Sequence, residues 1–340
     1  MDKNTKTPSH LDSLMHVVKS QQFSREMLEE LFLIADYMPI VEAMRGCKRL
    51  QDKIIAVFFY EESTRTRLSF QAAIKLLGGQ ILSTSNAKFS SVAKGENLVD
   101  TVRTLNNYCD AIIMRHKVEG SAEIAARICD EDSSAIHGYK HFINAGDGPG
   151  QHVTQALLDC YSIRKELGRI DGIKIAMVGD LLHGRTVRSL SYMLTKFKDV
   201  QIFFVSPDEL KMKDDVIQYL TEQQVPFISC ACLEDVISNV DVLYMTRIQQ
   251  ERFTDPDLYE LMKDSYVLDS RLMKLFSPKG IVLHPLPRVD EIKEEVDIDP
   301  RAAYFRQEKN GLFIRMALLL AVFDKHRGLL SAIRNGKNNH

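Results

Sequence analysis

The sequence predicts an α/β protein of two doubly wound parallel-sheet domains with a cleft between them, and three observations carry that expectation. Short β-branched or aromatic runs alternate with longer amphipathic ones, the pattern of parallel strands joined by crossover helices. The same plan occurs in both halves of the chain, with no low-complexity linker. A length of 340 residues with 45% hydrophobic side chains suffices for two compact domains, each with its own core. The expected boundaries are 1–152 for the first domain, completed by a C-terminal helix at about 308–335, and 153–307 for the second.

The elements follow in order. A polar start, "MDKNTKTPSHLDSL", precedes a helix expected from about Ser24. Strands are expected at "KIIAVFFY", "GQILST", "DAIIMRH" and "HFINAG", with helical patterns at "ENLVDTVRTLNNY" and "GSAEIAARIC". Leu68, Ala72 and Leu76 recur at helical spacing after "STRTR", until Gly78 and Gly79 stop the helix. The pattern "HVTQALLDCYSIRKELG", with Ala156, Asp159 and Tyr161 on a mostly helical face, connects the halves. Further strands are expected at "KIAMVGD", "VQIFFVSP", "VPFISCA", "DVLYMTR", "SYVLD" and "GIVLHPLP", separated by helical "RTVRSLSYMLTKF", "DDVIQYLTEQQ" and "LEDVISNV". A last helix is expected near "GLFIRMALLLAVFDKH".

Composition removes several function classes. Lys and Arg total 44 against 46 Asp and Glu, a formal net charge of −2, so no general basic field draws the chain to nucleic acid or anionic lipid. The six cysteines are scattered through apolar segments; Cys230-Ala-Cys232 lacks the second ligand pair of a zinc site, and buried free thiols are expected. The N-terminus has no apolar core for a secretory signal, and no apolar run reaches the length of a membrane span. A soluble, cytoplasmic protein is the expectation. "VGDLLHG" lacks the G-x-G-x-x-G spacing of a dinucleotide fold, which argues against a dehydrogenase.

"STRTR" sits at a strand-to-helix turn. Ser63 stands at the expected N-cap, and the amides of Thr64, Arg65 and Thr66 begin a helix whose first turn lacks intrahelical acceptors. Exposed amides, a positive helix end, hydroxyls and the fork of Arg65 together suit a phosphate; the plainer alternative is a capping serine beside solvated arginines. Arg115 ends another apolar strand and should face the same cleft, while His116 points to the other side and reads as structural. Gly146, Gly148 and Gly150 permit close backbone approach, and His152 and Gln155 lie three apart on one helical face. Ser90 and Lys94 precede a helix in what reads by itself as a polar loop. Arg185, Arg247 and Gln249 each follow a strand, and two arginines suit a dicarboxylate.

"STRTR", "MRH", "NAGDGPGQHVTQALLD", "GDLLHGRT", "MTRIQQER" and "HPLPRVDEI", in this order from about Lys53 to Ala321, resemble the carbamoyltransferase family in its aspartate-using branch. The resemblance implies a carbamoyl-phosphate domain, an aspartate domain, and a homotrimer with active sites shared between chains. It implies transfer of the carbamoyl group to L-aspartate, giving N-carbamoyl-L-aspartate and phosphate in pyrimidine biosynthesis, without cofactor or metal. By this resemblance Ser63, Thr64, Arg65, Thr66 and Arg115 bind carbamoyl phosphate, His152 contacts its carbonyl oxygen, and Gln155 its amide. The carbonyls of Leu286 and Pro287, across a cis bond, meet the carbamoyl NH2 and the amine, and Ser90 and Lys94 reach into the neighbouring chain's site. Arg65, Thr66, Arg115 and His152 carry catalysis; Lys94, Arg185, Arg247 and Gln249 receive aspartate.

Two positions depart from the family pattern. Val153 replaces the usual Pro, leaving the first helical turn less pre-set, and His183 stands where some relatives have Tyr. A carbamoyltransferase for another amino acid such as ornithine, or a non-catalytic trimeric scaffold, are the alternatives. Pro285, where ornithine enzymes carry Cys, and the paired arginines favour aspartate, while Arg65, Arg115, His152 and Lys94 together argue against a scaffold. "HPLPRVDEI" and "NGLFIRMALL" resemble the relatives that bind a separate regulatory chain.

Overall fold

The computed structural model describes residues 8–83, 95–134, 138–250 and 255–337. The chain divides into two compact units, Met1–Thr154 with Gly311–His340, and Gln155–Asn310.

The first unit holds a five-stranded sheet of β1 (His16–Val17), β2 (Ile54–Phe59), β3 (Gln80–Ser83), β4 (Ala111–His116) and β5 (His141–Asp147) in the order β1-β5-β4-β2-β3. Every pairing is parallel. β2 is a continuous apolar run, β4 is apolar up to Arg115, and all of β5 is buried, because both sheet faces are covered, as parallel sheets require. α1 (Arg25–Ala43) starts at Ser24, whose hydroxyl accepts the Met27 amide at 3.2 Å. α2 (Thr64–Leu76), α3 (Leu98–Asn106) and α4 (Ser121–Asp132) follow. Val102, Ala125, Ile128 and Cys129 pack with Ile112, Met114 and Phe142 in one buried cluster.

α5 (Val153–Leu167) and α10 (Tyr304–Val322) each run through a unit boundary. Val153 opens α5 fully buried, so apolar burial sets this helix start where proline is absent.

The second unit repeats the architecture with β6 (Lys174–Val178), β7 (Gln201–Val205), β8 (Phe227–Cys230), β9 (Val242–Met245) and β10 (Ile281–Leu283), in the order β10-β9-β6-β7-β8, again all parallel. α6 (Arg185–Leu194), α7 (Asp214–Glu222), α8 (Pro256–Met262) and α9 (Ser270–Leu275) belong to this unit. Both sheets thus match the expected fold class. In each, the chain builds outward on one side and then restarts on the other, so strand order reverses between β2 and β4, and between β6 and β9. Ligands of open parallel sheets bind beyond the carboxyl ends of the strands at such reversals.

The structure corrects several expected elements. "SYVLD" contributes one isolated bridge, Leu268 to Ile292, and no strand. "LEDVISNV" forms only a 3₁₀ turn at Ile237–Asn239, yet Leu233, Val236, Ile237 and Val240 all enter the core, so their spacing is satisfied by an irregular wrap. The C-terminal helix expected at about 308–335 is broken into α10 and α11 (Arg327–Lys337), with Asp324 between them at φ +53°. Among the cysteines, Cys109, Cys129 and Cys160 are buried free thiols, whereas Cys232 is exposed. No helix among the described residues is long and apolar enough to cross a membrane.

Candidate active site

At the first reversal the β2–β4 ladder pairs Phe59 with Arg115, and the Tyr60 amide donates to the Arg115 carbonyl at 2.9 Å. The chain leaving β2 therefore runs beside Arg115 before turning into α2. Arg115 is largely buried, and its Nε donates to Glu61 Oε2 at 2.9 Å, so a carboxylate from the β2 exit aims the guanidinium. Ser63 is the extended N-cap of α2, and its hydroxyl caps no amide of the helix. Thr64 and Arg65 are exposed in the first turn, whereas Thr66 is buried. Thr66 Oγ1 lies 3.4 Å from Nε2 of His152, itself 5% exposed. The structure thus gathers Thr66 with His152, and places Ser63, Thr64, Arg65 and Arg115 at the adjoining strand ends. His116, as expected, is structural: its ring meets Tyr60 edge-on at 4.6 Å, Nδ1 accepts the Val118 amide at 3.1 Å, and burial lowers its pKa.

The loop that delivers His152 is tied by Asp147. Its Oδ1 accepts the Gln151 amide at 2.7 Å and the Asn144 side chain at 3.2 Å, and its Oδ2 accepts the Gly120 amide at 3.2 Å. Burial raises the Asp147 pKa against these bonds. Gly148 is required: at φ +56°, any Cβ would lie 2.2 Å from the Lys117 carbonyl oxygen.

The second reversal is built alike. Gly179 follows β6 at φ +114°, and a Cβ there would lie 2.3 Å from the Thr246 carbonyl oxygen. Thr246 is held by its amide and hydroxyl, both donating to the Val178 carbonyl at 2.9 and 2.8 Å. Asp180, fully buried, accepts the His183 amide at 2.9 Å on Oδ1 and the Gln249 amide at 3.4 Å on Oδ2, joining the loops after β6 and β9. Those loops carry Arg185, first residue of α6, and Arg247, both partly exposed. The predicted Arg185, Arg247 and Gln249 therefore stand at one strand-end cluster, and His183 takes a loop-bracing role. The Leu286–Pro287 bond, after β10, is cis. Gln155 donates Nε2 to Asp159 at 2.9 Å. Ser90 and Lys94 lie outside the described residues.

Nothing in the sequence pattern singles out Glu61, Asp147, Asp180, Tyr244 or Gln307 as parts of the scaffold. Only Asp159 left a usable signal, at four residues after Gln155 on a helix, where side chains meet.

Two family models match in succession: the aspartate/ornithine carbamoyltransferase carbamoyl-P binding domain over residues 15–165, and the Asp/Orn binding domain over residues 171–322. The chain is 53% identical to the chloroplastic aspartate carbamoyltransferase of Arabidopsis thaliana over 309 residues, 90% of this chain and 77% of that protein. It is 45% identical to the aspartate carbamoyltransferase catalytic subunit of Methanocaldococcus jannaschii over 316 residues, 93% of this chain and 100% of that one. Aspartate transcarbamoylase from Trypanosoma cruzi, in complex with carbamoyl phosphate and aspartate, superposes with a TM-score of 0.84 at 39% identity, covering 93% of this chain and 99% of that one.

These matches overturn the cytoplasmic expectation, because the plant relative is named chloroplastic. The physical reason is that a missing apolar core speaks only against a secretory signal, while plastid transit segments are polar and amphipathic. With both domain models matched in order and the polar residues gathered at two strand-order reversals, this chain belongs to the aspartate/ornithine carbamoyltransferase family.

Proposed function

We propose that the protein transfers the carbamoyl group of carbamoyl phosphate to the amine of L-aspartate, forming N-carbamoyl-L-aspartate and phosphate for pyrimidine synthesis. One observation carries this reading: two strand-order reversals bear chemically complementary groups. The first presents hydroxyls, helix-start amides and two arginines, a set suited to a phosphoanhydride-like ligand; the second presents Arg185 and Arg247, suited to a dicarboxylate. The substrates named for the Trypanosoma cruzi relative support the assignment.

In the reaction the amine nitrogen bonds to the carbonyl carbon, the bond from that carbon to the phosphate oxygen breaks, and the amine proton leaves on the departing phosphate. No protein nucleophile or base is needed. Thr66, Arg115 and His152 stabilise the oxyanion, where preorganised donors have their largest effect. Ser63, Thr64 and Arg65 hold the phosphate, Gln155 and the carbonyls of Leu286 and Pro287 meet the carbamoyl amide, and Arg185, Arg247 and Gln249 bind aspartate after carbamoyl phosphate has docked. The domain expected at 1–152 with 308–335 takes carbamoyl phosphate, and 153–307 takes aspartate.

Steady-state kinetics test these assignments. Arg115→Ala should lower kcat by about 10² to 10³, the usual cost of losing an oxyanion donor. Arg247→Ala should raise the aspartate KM by about tenfold or more, as loss of a carboxylate clamp predicts. A near-normal kcat for Arg115→Ala sinks the assignment.

The active form is a homotrimer in which Ser90 and Lys94 complete a neighbour's site. Mixing Lys94→Ala chains with His152→Ala chains should restore activity in hybrids; no recovery overturns the shared site. A separate regulatory chain is the proposed further partner, supported by the name catalytic subunit on the Methanocaldococcus relative. Nucleotide effects on aspartate saturation that require a copurifying small chain test it.

A further inference from the structure

Asp159 is fully buried, and three side chains of its own unit converge on it. Gln155 donates Nε2 to Oδ1 at 2.9 Å, Gln307 donates Nε2 to the same oxygen at 2.7 Å, and Tyr244 donates its hydroxyl to Oδ2 at 2.8 Å. An ionised carboxylate accepts and cannot donate, so both amides must turn their NH2 groups toward it and their carbonyl oxygens away. Three donors offset the cost of burying the charge. Burial, and then the neighbouring Asp159 charge, hold the Tyr244 pKa well above its ordinary value, so the phenol stays a donor.

For Gln307 the consequence is visible. Its Oε1 accepts the His284 amide at 2.9 Å. His284 then accepts the Leu286 amide on Nδ1 at 2.8 Å, which leaves the proton on Nε2 for Glu291 Oε1, 2.6 Å away. Hydrogen bonds thus link Asp159 on α5 through Gln307 to the backbone of His284, and the His284 ring holds the amide of Leu286. Gln155 is held by the same Asp159 oxygen as Gln307.

We propose that Asp159 is a positioning residue that sets the polarity of Gln155, so that Gln155 Oε1 faces the ligand as an acceptor for an NH2 group, and that the same carboxylate orients the Leu286 segment through Gln307 and His284. The proposal rests on the reading of Gln155 as the contact for the carbamoyl amide and deepens it. Asp159 becomes the origin of the preference for carbamoyl phosphate over acyl phosphates that carry a methyl group in place of NH2. Reversing the amide would set NH2 against NH2.

The test measures binding of carbamoyl phosphate, acetyl phosphate and inorganic phosphate to the full chain by calorimetry. Asp159→Ala removes the acceptor and frees the Gln155 amide to turn; it should weaken carbamoyl phosphate by about tenfold while the other two ligands change by less than about twofold. Gln155→Glu alone sets two carboxylates together and should weaken carbamoyl phosphate similarly. The double variant, Asp159→Ala with Gln155→Glu, relieves that repulsion and keeps an acceptor at position 155 whichever way the carboxylate turns; it should return carbamoyl phosphate to within about threefold of the parent, a non-additive rescue. Equal losses on all three ligands, an unchanged preference in Asp159→Ala, or no rescue in the double variant overturns the proposal. If Asp159→Ala does not fold, the double variant decides, since it keeps the net charge: loss of its preference for carbamoyl phosphate refutes the polarity role. A parent protein without that preference refutes the reading of Gln155 itself, which the variants alone would not.

Discussion

Gly179→Ala perturbs the second strand-order reversal at its tightest point. The new Cβ would lie 2.3 Å from the Thr246 carbonyl oxygen and 2.7 Å from its hydroxyl, in a residue held at φ +114°. Thr246 cannot swing aside cheaply, because its amide and hydroxyl both bond to Val178 at 2.9 and 2.8 Å. The backbone strain costs about 1–2 kcal/mol and the forced displacement about 1–3 kcal/mol, together about 2–5 kcal/mol. That is a large share of the roughly 5–15 kcal/mol stability of a typical domain. Because the displaced residue immediately precedes Arg247, the aspartate KM should rise by about tenfold. Gly168→Ala is the control: φ is +74°, but nothing lies within 4 Å of its Cβ, so only about 1 kcal/mol of backbone strain is expected. Urea unfolding and substrate saturation of both variants are the assay. Equal destabilisation of the two, with an unchanged aspartate KM in Gly179→Ala, would refute the reasoning.

Other outcomes follow from the first unit. Burial lowers the pKa of both His116 and His141, so below the ordinary histidine value of about 6.5 the unfolded chain binds protons that the folded one refuses, and stability falls as pH falls. The urea midpoint should drop between about pH 7.5 and about pH 5.5, and the His116→Gln, His141→Gln double variant should shrink that drop; an unaltered drop contradicts the linkage. Arg315, buried, donates to Ser69 at 2.9 Å and lies over the Phe70 ring at 5.2 Å, anchoring α2. Arg315→Met should cost about 1–3 kcal/mol in urea unfolding and weaken phosphate binding at the start of that helix, and an unchanged midpoint contradicts the anchor.

The strands that position the candidate site were legible because β2, β4, β6 and β9 are short apolar runs buried on both faces and bounded by polar turns. β1 spans two residues and leaves no periodicity to read. "STRTR" announced itself because its hydroxyls and cations crowd one strand-to-helix turn. The supports did not. Tyr244 and Gln307 meet Asp159 across sequence separations of 85 and 148 residues, a pairing set by sheet order that a local pattern cannot contain. Cys232 is exposed, against the expectation of a buried thiol, because its burial depends on how the chain leaves β8, and not on the residue type. Localisation is not legible for a different reason: a missing apolar core excludes only a secretory signal, and plastid transit segments are polar and amphipathic, so a polar N-terminus discriminates little.

The most direct measurement is product formation by the purified chain from carbamoyl phosphate labelled in the carbamoyl carbon, with L-aspartate and L-ornithine supplied in parallel. The paired arginines would face ornithine's side-chain amine as a like charge, so N-carbamoyl-L-aspartate should form with a preference of about a hundredfold or more. Comparable carbamoylation of ornithine, or no labelled product from either acceptor, would contradict the proposed function.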